Sequence, residues 1–189
     1  KLKPLGLSTS STNEISKRSD LLIVIGGDGT MLNCARKYGF NNIPLLGINL
    51  GNLGFLTDID PEDLTSSLLG VLEGRYTEEK RFFLEATIKG NRDQHIALNE
   101  LVIHSGEIAQ LIEYDLYLED NFVYRQKADG LIISSPTGST GYSLSGGGPI
   151  IHPKIEAMIL CPMLPLSLST SPLVVDADSV VKVSLVDKT

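Results

Sequence analysis

The feature that most constrains this chain is an apolar run that breaks into glycines and restarts as a helix. Residues 21–25 (Leu-Leu-Ile-Val-Ile) lead directly into Gly26-Gly27-Asp28-Gly29-Thr30, and Met31, Leu32 and Ala35 then fall at helical spacing over 31–37. Five consecutive apolar residues suit a strand buried on both faces. The pattern predicts a strand, a tight glycine turn and a helix N-terminus, where free N–H groups and a partial positive charge suit phosphate oxygens. Asp28 is the odd member. A carboxylate at such a place repels an anion unless it binds Mg²⁺ or takes a proton from an attacking hydroxyl. Equally, Asp28 and Thr30 can serve only as helix caps. No Gly-Lys-Ser/Thr follows, so this is not a Walker loop, and the glycine spacing does not fit G-x-G-x-x-G.

A second strand is expected at 44–48 (Pro-Leu-Leu-Gly-Ile), running into Asn49-Leu50-Gly51-Asn52-Leu53-Gly54-Phe55-Leu56-Thr57. In an open parallel sheet, loops at the carboxyl ends of neighbouring strands share one ligand crevice. If these strands are neighbours, Phe55 is either an apolar wall for a base or a core residue. Asp60-Pro61-Glu62-Asp63 is a helix start, with Leu64, Leu68, Leu69 and Leu72 as its apolar stripe and Gly74 as its end.

Beyond Tyr76 the strand–helix alternation gives way to short strands at 81–88, 94–104, 111–118 and 121–126, the last two meeting across Glu119-Asp120 as a hairpin. The boundary is placed at 78/79: an N-terminal Rossmann-like α/β domain over 1–78 and a β-rich, sandwich-like domain over 79–189. Asn99-Glu100 interrupts an otherwise apolar strand, so one of the pair faces a site or the strand lies at an edge. The stretch 128–149 is rich in hydroxyls, glycines and small residues but is flanked by Leu131-Ile132-Ile133 and Ile150-Ile151, which favours an ordered ligand loop over a linker. Residues 139–145 would open a helix facing the ligand. His95, His104 and His152 read as structural, as do the segments 158–160 and 162–168 and the strands expected at 173–176 and 179–185.

The 189 residues carry a net charge of −7, which argues against nucleic-acid binding but not against nucleotides held by backbone N–H groups. No 18-residue apolar run and no signal-peptide pattern is present, so no membrane partner is expected. The two cysteines, Cys34 and Cys161, fit no zinc spacing and read as free thiols of a reducing cytoplasm.

The Gly-Gly-Asp-Gly-Thr loop resembles that of NAD kinases, diacylglycerol kinases and the phosphofructokinase group, which move a phosphoryl group from a nucleotide onto a hydroxyl. Together with residues 52–58, Glu79-Lys80-Arg81, Asn99-Glu100, Asp129-Gly130 and Pro136-Thr137-Gly138-Ser139-Thr140, it resembles the bacterial NAD kinase family over nearly the whole chain. The resemblance implies two domains with the active site between them. It also implies ATP-dependent phosphorylation of the adenosine-ribose 2′-hydroxyl of NAD, a divalent metal such as Mg²⁺, and a homodimer or homotetramer. Asp28 matches the proton acceptor, and Gly26, Gly27, Gly29 and Thr30 the ATP phosphate loop. NAD would be held by Asp28, Gly29, Phe55, Asn99, Glu100, Lys127, Asp129, Thr137, Thr140, Gly141, Tyr142, Ser143, Leu144 and Ser145. No direct protein ligand to the metal is implied. The chain departs from the family in Gly141 and Gly146 where alanine is usual, in Leu166 and Ser171 where histidine and arginine are usual, and in stopping short of the family's C-terminal strands. A lipid or sphingoid-base kinase and a non-enzymatic nucleotide sensor are the rival readings.

Overall fold

The computed structural model describes residues 10–51, 54–57, 59–107, 110–167 and 169–186. Asn52, Leu53, Asp58 and Leu168, to which sequence expectations were attached, lie outside them. The chain divides into two compact units, Lys1–Glu78 and Glu79–Thr189.

The first unit is α/β. Its described elements are α1 (Thr12–Arg18), β1 (Leu22–Ile25), α2 (Asp28–Tyr38), β2 (Leu45–Ile48) and α3 (Leu64–Leu72). β1 and β2 pair in parallel, with Val24 opposite Gly47, so the two glycine-rich loops leave neighbouring strand ends. β1 is not buried on both faces: Val24 is buried, whereas Ile23 and Ile25 are 45% and 56% exposed. Side chains alternate along a strand, and only the face bearing Val24 is covered. α2 begins earlier than the apolar periodicity suggests, because Thr30 and Met31 N–H already donate to the Gly27 carbonyl at 2.9 and 3.2 Å. The start before α3 is as expected, Asp60 accepting from Glu62 N–H at 3.0 Å ahead of a 3₁₀ turn Pro61–Asp63. The helix ends where Gly74 adopts φ +79° and Arg75 N–H reaches the Gly70 carbonyl at 2.8 Å. Only half of its leucine stripe is covered: Leu64 and Leu68 are half-buried, whereas Leu69 and Leu72 are exposed and Gly70 is the buried residue.

The second unit is a sandwich. Its strands are β3 (Leu84–Thr87), β4 (Gln94–Ala97), β5 (Glu100–His104), β6 (Ile112–Leu118), β7 (Asn121–Ala128), β8 (Gly130–Ser134), β9 (Ala157–Met163), β10 (Leu173–Asp176) and β11 (Val181–Leu185). They form a four-stranded sheet β10-β9-β8-β5, a three-stranded sheet β11-β6-β7 and a hairpin β3-β4. Tyr114, Leu116 and Ala128 of one sheet meet Leu131, Ile133, Met158 and Leu160 of the other in the main core. On the outer side of the four-stranded sheet, Ile132, Ile159 and Cys161 pack with Ile151 in a second cluster. β8 is therefore covered on both faces, which its apolar run Leu131-Ile132-Ile133 anticipates. The β6–β7 turn has both Glu119 and Asp120 at positive φ, 49° and 61°, the twist that a two-residue hairpin requires.

The expected strand 94–104 is two strands. Gln94–Ala97 pairs with β3 and Glu100–His104 with β8, and the chain breaks at Leu98-Asn99 to change partners. β9 runs unbroken through Pro162, since β10 pairs only with its residues 157–160.

Candidate functional site

In the first unit the site is built around the Asp28 carboxylate. The residue sits in the first turn of α2, but the helix N-cap is Gly27, and no side chain caps it. The carboxylate instead crosses to the second loop. Oδ2 accepts from Phe55 N–H at 2.9 Å, and Oδ1 accepts from Leu56 N–H at 3.0 Å and Thr57 Oγ1 at 3.3 Å. Asp28 thus ties the two loops at the β1 and β2 ends together. A carboxylate has about four acceptor positions; the described residues fill three, leaving one on Oδ2.

The glycines around it separate into two kinds. A Cβ on Gly54 would lie 2.1 Å from Asp28 Oδ1, one on Gly47 2.8 Å from Thr57 Cγ2, and one on Gly26 2.6 Å from Thr30 Oγ1. These positions are closed by packing. Gly27 and Gly29 are exposed and would meet nothing within 4 Å. Nothing in the fold demands glycine at either, and the open backbone there is accessible to a ligand's phosphate. Thr30 is exposed beside them. Phe55 is 73% exposed, which removes the core-packing alternative and leaves its side chain presented to solvent while its N–H holds the Asp28 carboxylate.

In the second unit the site gathers where β5 begins. The Asn99 carbonyl accepts from Ser135 N–H at 2.8 Å and from Ser134 Oγ at 3.4 Å. Ser135 Oγ donates to the Leu98 carbonyl. Gly138 is pressed onto Asn99, where a Cβ would lie 2.4 Å from the carbonyl oxygen. This holds the Thr137–Thr140 3₁₀ turn against the strand break, and Arg81 reaches Thr137 Oγ1 at 3.5 Å. The side chains of Asn99 and Glu100 are left over. Asn99 Oδ1 and Glu100 Oε2 are buried and have no hydrogen-bond partner among the described residues. Burial also raises the Glu100 carboxyl above its ordinary range. An added methyl on Gly141 would lie 3.3 Å from Glu100 Oε2 and 3.5 Å from Asn99 Nδ2, so Gly141 is the near wall of this pair.

The expected helix over 139–145 is a 3₁₀ turn followed by a single turn, Tyr142–Ser145. That turn puts Tyr142, Leu144 and Ser145 outward and buries Ser143 completely, with Gly148 N–H bonded to its carbonyl at 2.8 Å. Ser139 is likewise internal, donating to the Pro136 carbonyl and accepting from Ile151 N–H at 3.1 Å. Tyr142 and Asp129 come together instead, with Val102 and His104, around a cavity of about 380 Å³. Glu100, Val102 and His104 alternate along β5 and share its outer face. Thr140 Oγ1 reaches back to the Thr137 carbonyl at 3.5 Å. Lys127 stands apart, exposed and paired with Glu113 at 3.3 Å. Leu166 is exposed, with its N–H on the Lys127 carbonyl at 3.0 Å.

Sequence reasoning placed Gly54, Thr57, Ser135 and Gly138 within candidate loops but gave none of them a role of its own. The glycine spacing of the second loop signals a loop, but nothing local reveals that Asp28 is its hydrogen-bond acceptor.

The architecture is thus an α/β domain followed by a sheet-rich domain, and the comparisons with known proteins name that combination. The ATP-NAD kinase N-terminal domain model matches residues 7–76 and the ATP-NAD kinase C-terminal domain model residues 98–189. The chain belongs to the NAD kinase family. It is 50% identical over 181 residues to an NAD kinase of Teredinibacter turnerae (93% of this chain, 61% of the relative) and 50% identical over 182 residues to one of Coxiella burnetii (95% and 60%). It therefore spans about three-fifths of the length of these curated relatives. Among solved structures, yeast NADH kinase complexed with NADH superimposes with a TM-score of 0.86 at 33% identity, covering 95% of this chain and 54% of that one. An NAD kinase from Archaeoglobus fulgidus in complex with ATP gives 0.79 at 32% identity, covering 97% and 73%.

Proposed function

We propose that the protein is an NAD kinase, transferring the γ-phosphoryl group of ATP to the adenosine-ribose 2′-hydroxyl of NAD. The observation that carries the reading is the pair of buried, partnerless acceptors Asn99 Oδ1 and Glu100 Oε2. Both are acceptors, so a ligand that satisfies them presents donors, such as ribose hydroxyls or an exocyclic amine. Leaving buried polar atoms unpaired costs about 1–3 kcal/mol each, which a bound adenosine would recover. Gly141 at one side and the exposed Tyr142, Leu144 and Ser145 beyond it supply further NAD contacts, with Thr137 and Thr140 holding the turn. Asp129 contributes from the neighbouring cavity, and Lys127 from the surface.

In the first unit, the exposed backbone at Gly27 and Gly29, with Gly26 and Thr30, receives the ATP phosphates, and Phe55 offers an apolar surface to a base. Phosphoryl transfer needs positioning and charge neutralisation more than covalent work by the protein. The ribose oxygen forms its bond to the γ-phosphorus as the bond to the β–γ bridging oxygen breaks. That oxygen leaves on ADP, and the hydroxyl proton passes to Asp28 through the open position on Oδ2. Among the described residues no three His, Cys, Asp or Glu side chains converge. A divalent ion such as Mg²⁺ would be held chiefly by the ATP phosphates, with Asp28 the carboxylate offered by this loop, and would supply neutralisation of the phosphate charge. The free thiols of Cys34 and Cys161 fit a cytoplasmic enzyme, and the family resemblance supports a homodimer or homotetramer. No helix among the described residues is long and apolar enough to cross a membrane.

The test is NADP formation from NAD and ATP by the full-length protein, with diacylglycerol as the control acceptor. Turnover with NAD alone supports the reading. NAD binding by calorimetry without NADP would make the protein a nucleotide sensor instead.

A further inference from the structure

Among the described residues Asp28 has one side-chain hydrogen-bond donor, Thr57, and neither the family resemblance nor the sequence assigns that donor a role. Thr57 is fully buried, its Oγ1 lies 3.3 Å from Asp28 Oδ1, and Leu56 N–H reaches the same oxygen at 3.0 Å. Its methyl, Cγ2, occupies the space that Gly47 leaves free on β2, 2.8 Å from where a Cβ would be. The residue therefore divides into a polar half that touches the carboxylate and an apolar half that locks the loop onto the sheet. A buried hydroxyl needs a partner, and Asp28 is the partner it has.

We propose that Thr57 is a positioning residue for Asp28, an inference that rests on the kinase reading above. Thr57 and Leu56 together fill Oδ1, and Phe55 N–H takes one position of Oδ2. The acceptor position left for a substrate proton is thereby set on Oδ2 and in one orientation. Without the Thr57 hydroxyl, Oδ1 regains an open position and the carboxylate can rotate about its Cβ–Cγ bond, so that the group meeting the substrate is no longer held in a single geometry. Misplacement of a reacting group by about 1 Å is enough to lower a rate by up to 10²-fold.

The two halves of the side chain can be removed separately. Thr57→Val keeps the shape and loses the hydroxyl; Thr57→Ser keeps the hydroxyl and loses the methyl against Gly47. In the full-length protein, Thr57→Val is expected to lower kcat about tenfold with KM for NAD and ATP within twofold of the parent and the melting temperature lowered by a few degrees for the lost bond. Thr57→Ser is expected to retain kcat and to melt lower. Amide hydrogen exchange at Phe55 and Leu56 reads the same geometry without turnover: it should quicken several-fold in Thr57→Val and stay at the parent rate in Thr57→Ser. A parent that makes no NADP overturns the kinase reading, and the exchange rates then decide the positioning role by themselves. The inference is overturned if exchange is unchanged in Thr57→Val, if that variant turns over within twofold of the parent, or if Thr57→Ser loses as much kcat as Thr57→Val.

Discussion

Replacing Asp28 by asparagine is the perturbation whose consequences the structure specifies in most detail. The carboxylate accepts three bonds, from Phe55 N–H, Leu56 N–H and Thr57 Oγ1. Asparagine keeps one acceptor oxygen and turns the other into an NH₂ group. If the NH₂ replaces Oδ2, it faces the Phe55 N–H, donor against donor. If it replaces Oδ1, it faces the Leu56 N–H. In either orientation one charge-assisted bond is lost, and such bonds are worth about 1.5–3 kcal/mol. Asp28→Asn should therefore lower the unfolding free energy by about that amount, besides lowering kcat by about 10²–10⁴-fold through loss of the proton acceptor. Because Phe55 hangs on the same carboxylate, the KM for NAD should rise as well. Urea unfolding and steady-state kinetics on the same preparation check both effects. A variant with parental stability and near-parental turnover would refute the reasoning, since Asp28 would then be an ordinary first-turn acid, worth about 0.3–1 kcal/mol.

Asn99→Ala should raise the KM for NAD about tenfold or more, equivalent to about 1.4 kcal/mol within the range for an unmade buried hydrogen bond, and leave the KM for ATP nearly unchanged; the converse pattern would exchange the two nucleotide assignments. Gly54→Ala places a methyl on Asp28 Oδ1 and should abolish turnover and lower the melting temperature, whereas Gly27→Ala, which meets nothing within 4 Å, should melt like the parent while weakening ATP. Glu100 is raised above its ordinary value by burial, so the folded protein favours the protonated carboxyl. Its stabilising contribution is full below the unfolded pKa and is lost as pH rises through the folded one. The ligand-free parent should thus lose more stability between acid and neutral pH than Glu100→Gln, as thermal melts at a series of pH values would show.

Much of this arrangement was legible from local chemistry. The strand–glycine–helix order at residues 22–38, the Asp60-Pro61 helix start and the Glu119-Asp120 hairpin all follow from backbone preferences that act within a few residues. What was not legible depends on partners distant in sequence. The break at Leu98-Asn99 exists because Gln94–Ala97 pairs with β3 and Glu100–His104 with β8, and no periodicity within 94–104 encodes that change. Exposure of Ile23 and Ile25 depends on what covers the sheet, which five apolar residues in a row do not state. The carboxylate of Asp28 meets Phe55, Leu56 and Thr57 nearly thirty residues on, a partner choice that the local helix-capping pattern does not contain. Which of the hydroxyls in 142–145 lie inward is likewise not written in a hydroxyl-rich run; one helical turn buries Ser143 and leaves Tyr142, Leu144 and Ser145 exposed.

The central claim is that this chain belongs to an enzyme that phosphorylates the adenosine ribose of NAD. The most direct measurement is ³¹P NMR of the product formed by the full-length protein from NAD and MgATP. The account predicts one new phosphomonoester signal, assigned to the 2′-position of the adenosine ribose, rising in step with ADP. ADP appearing together with inorganic phosphate and no phosphorylated NAD, or a phosphomonoester at another position, would contradict it.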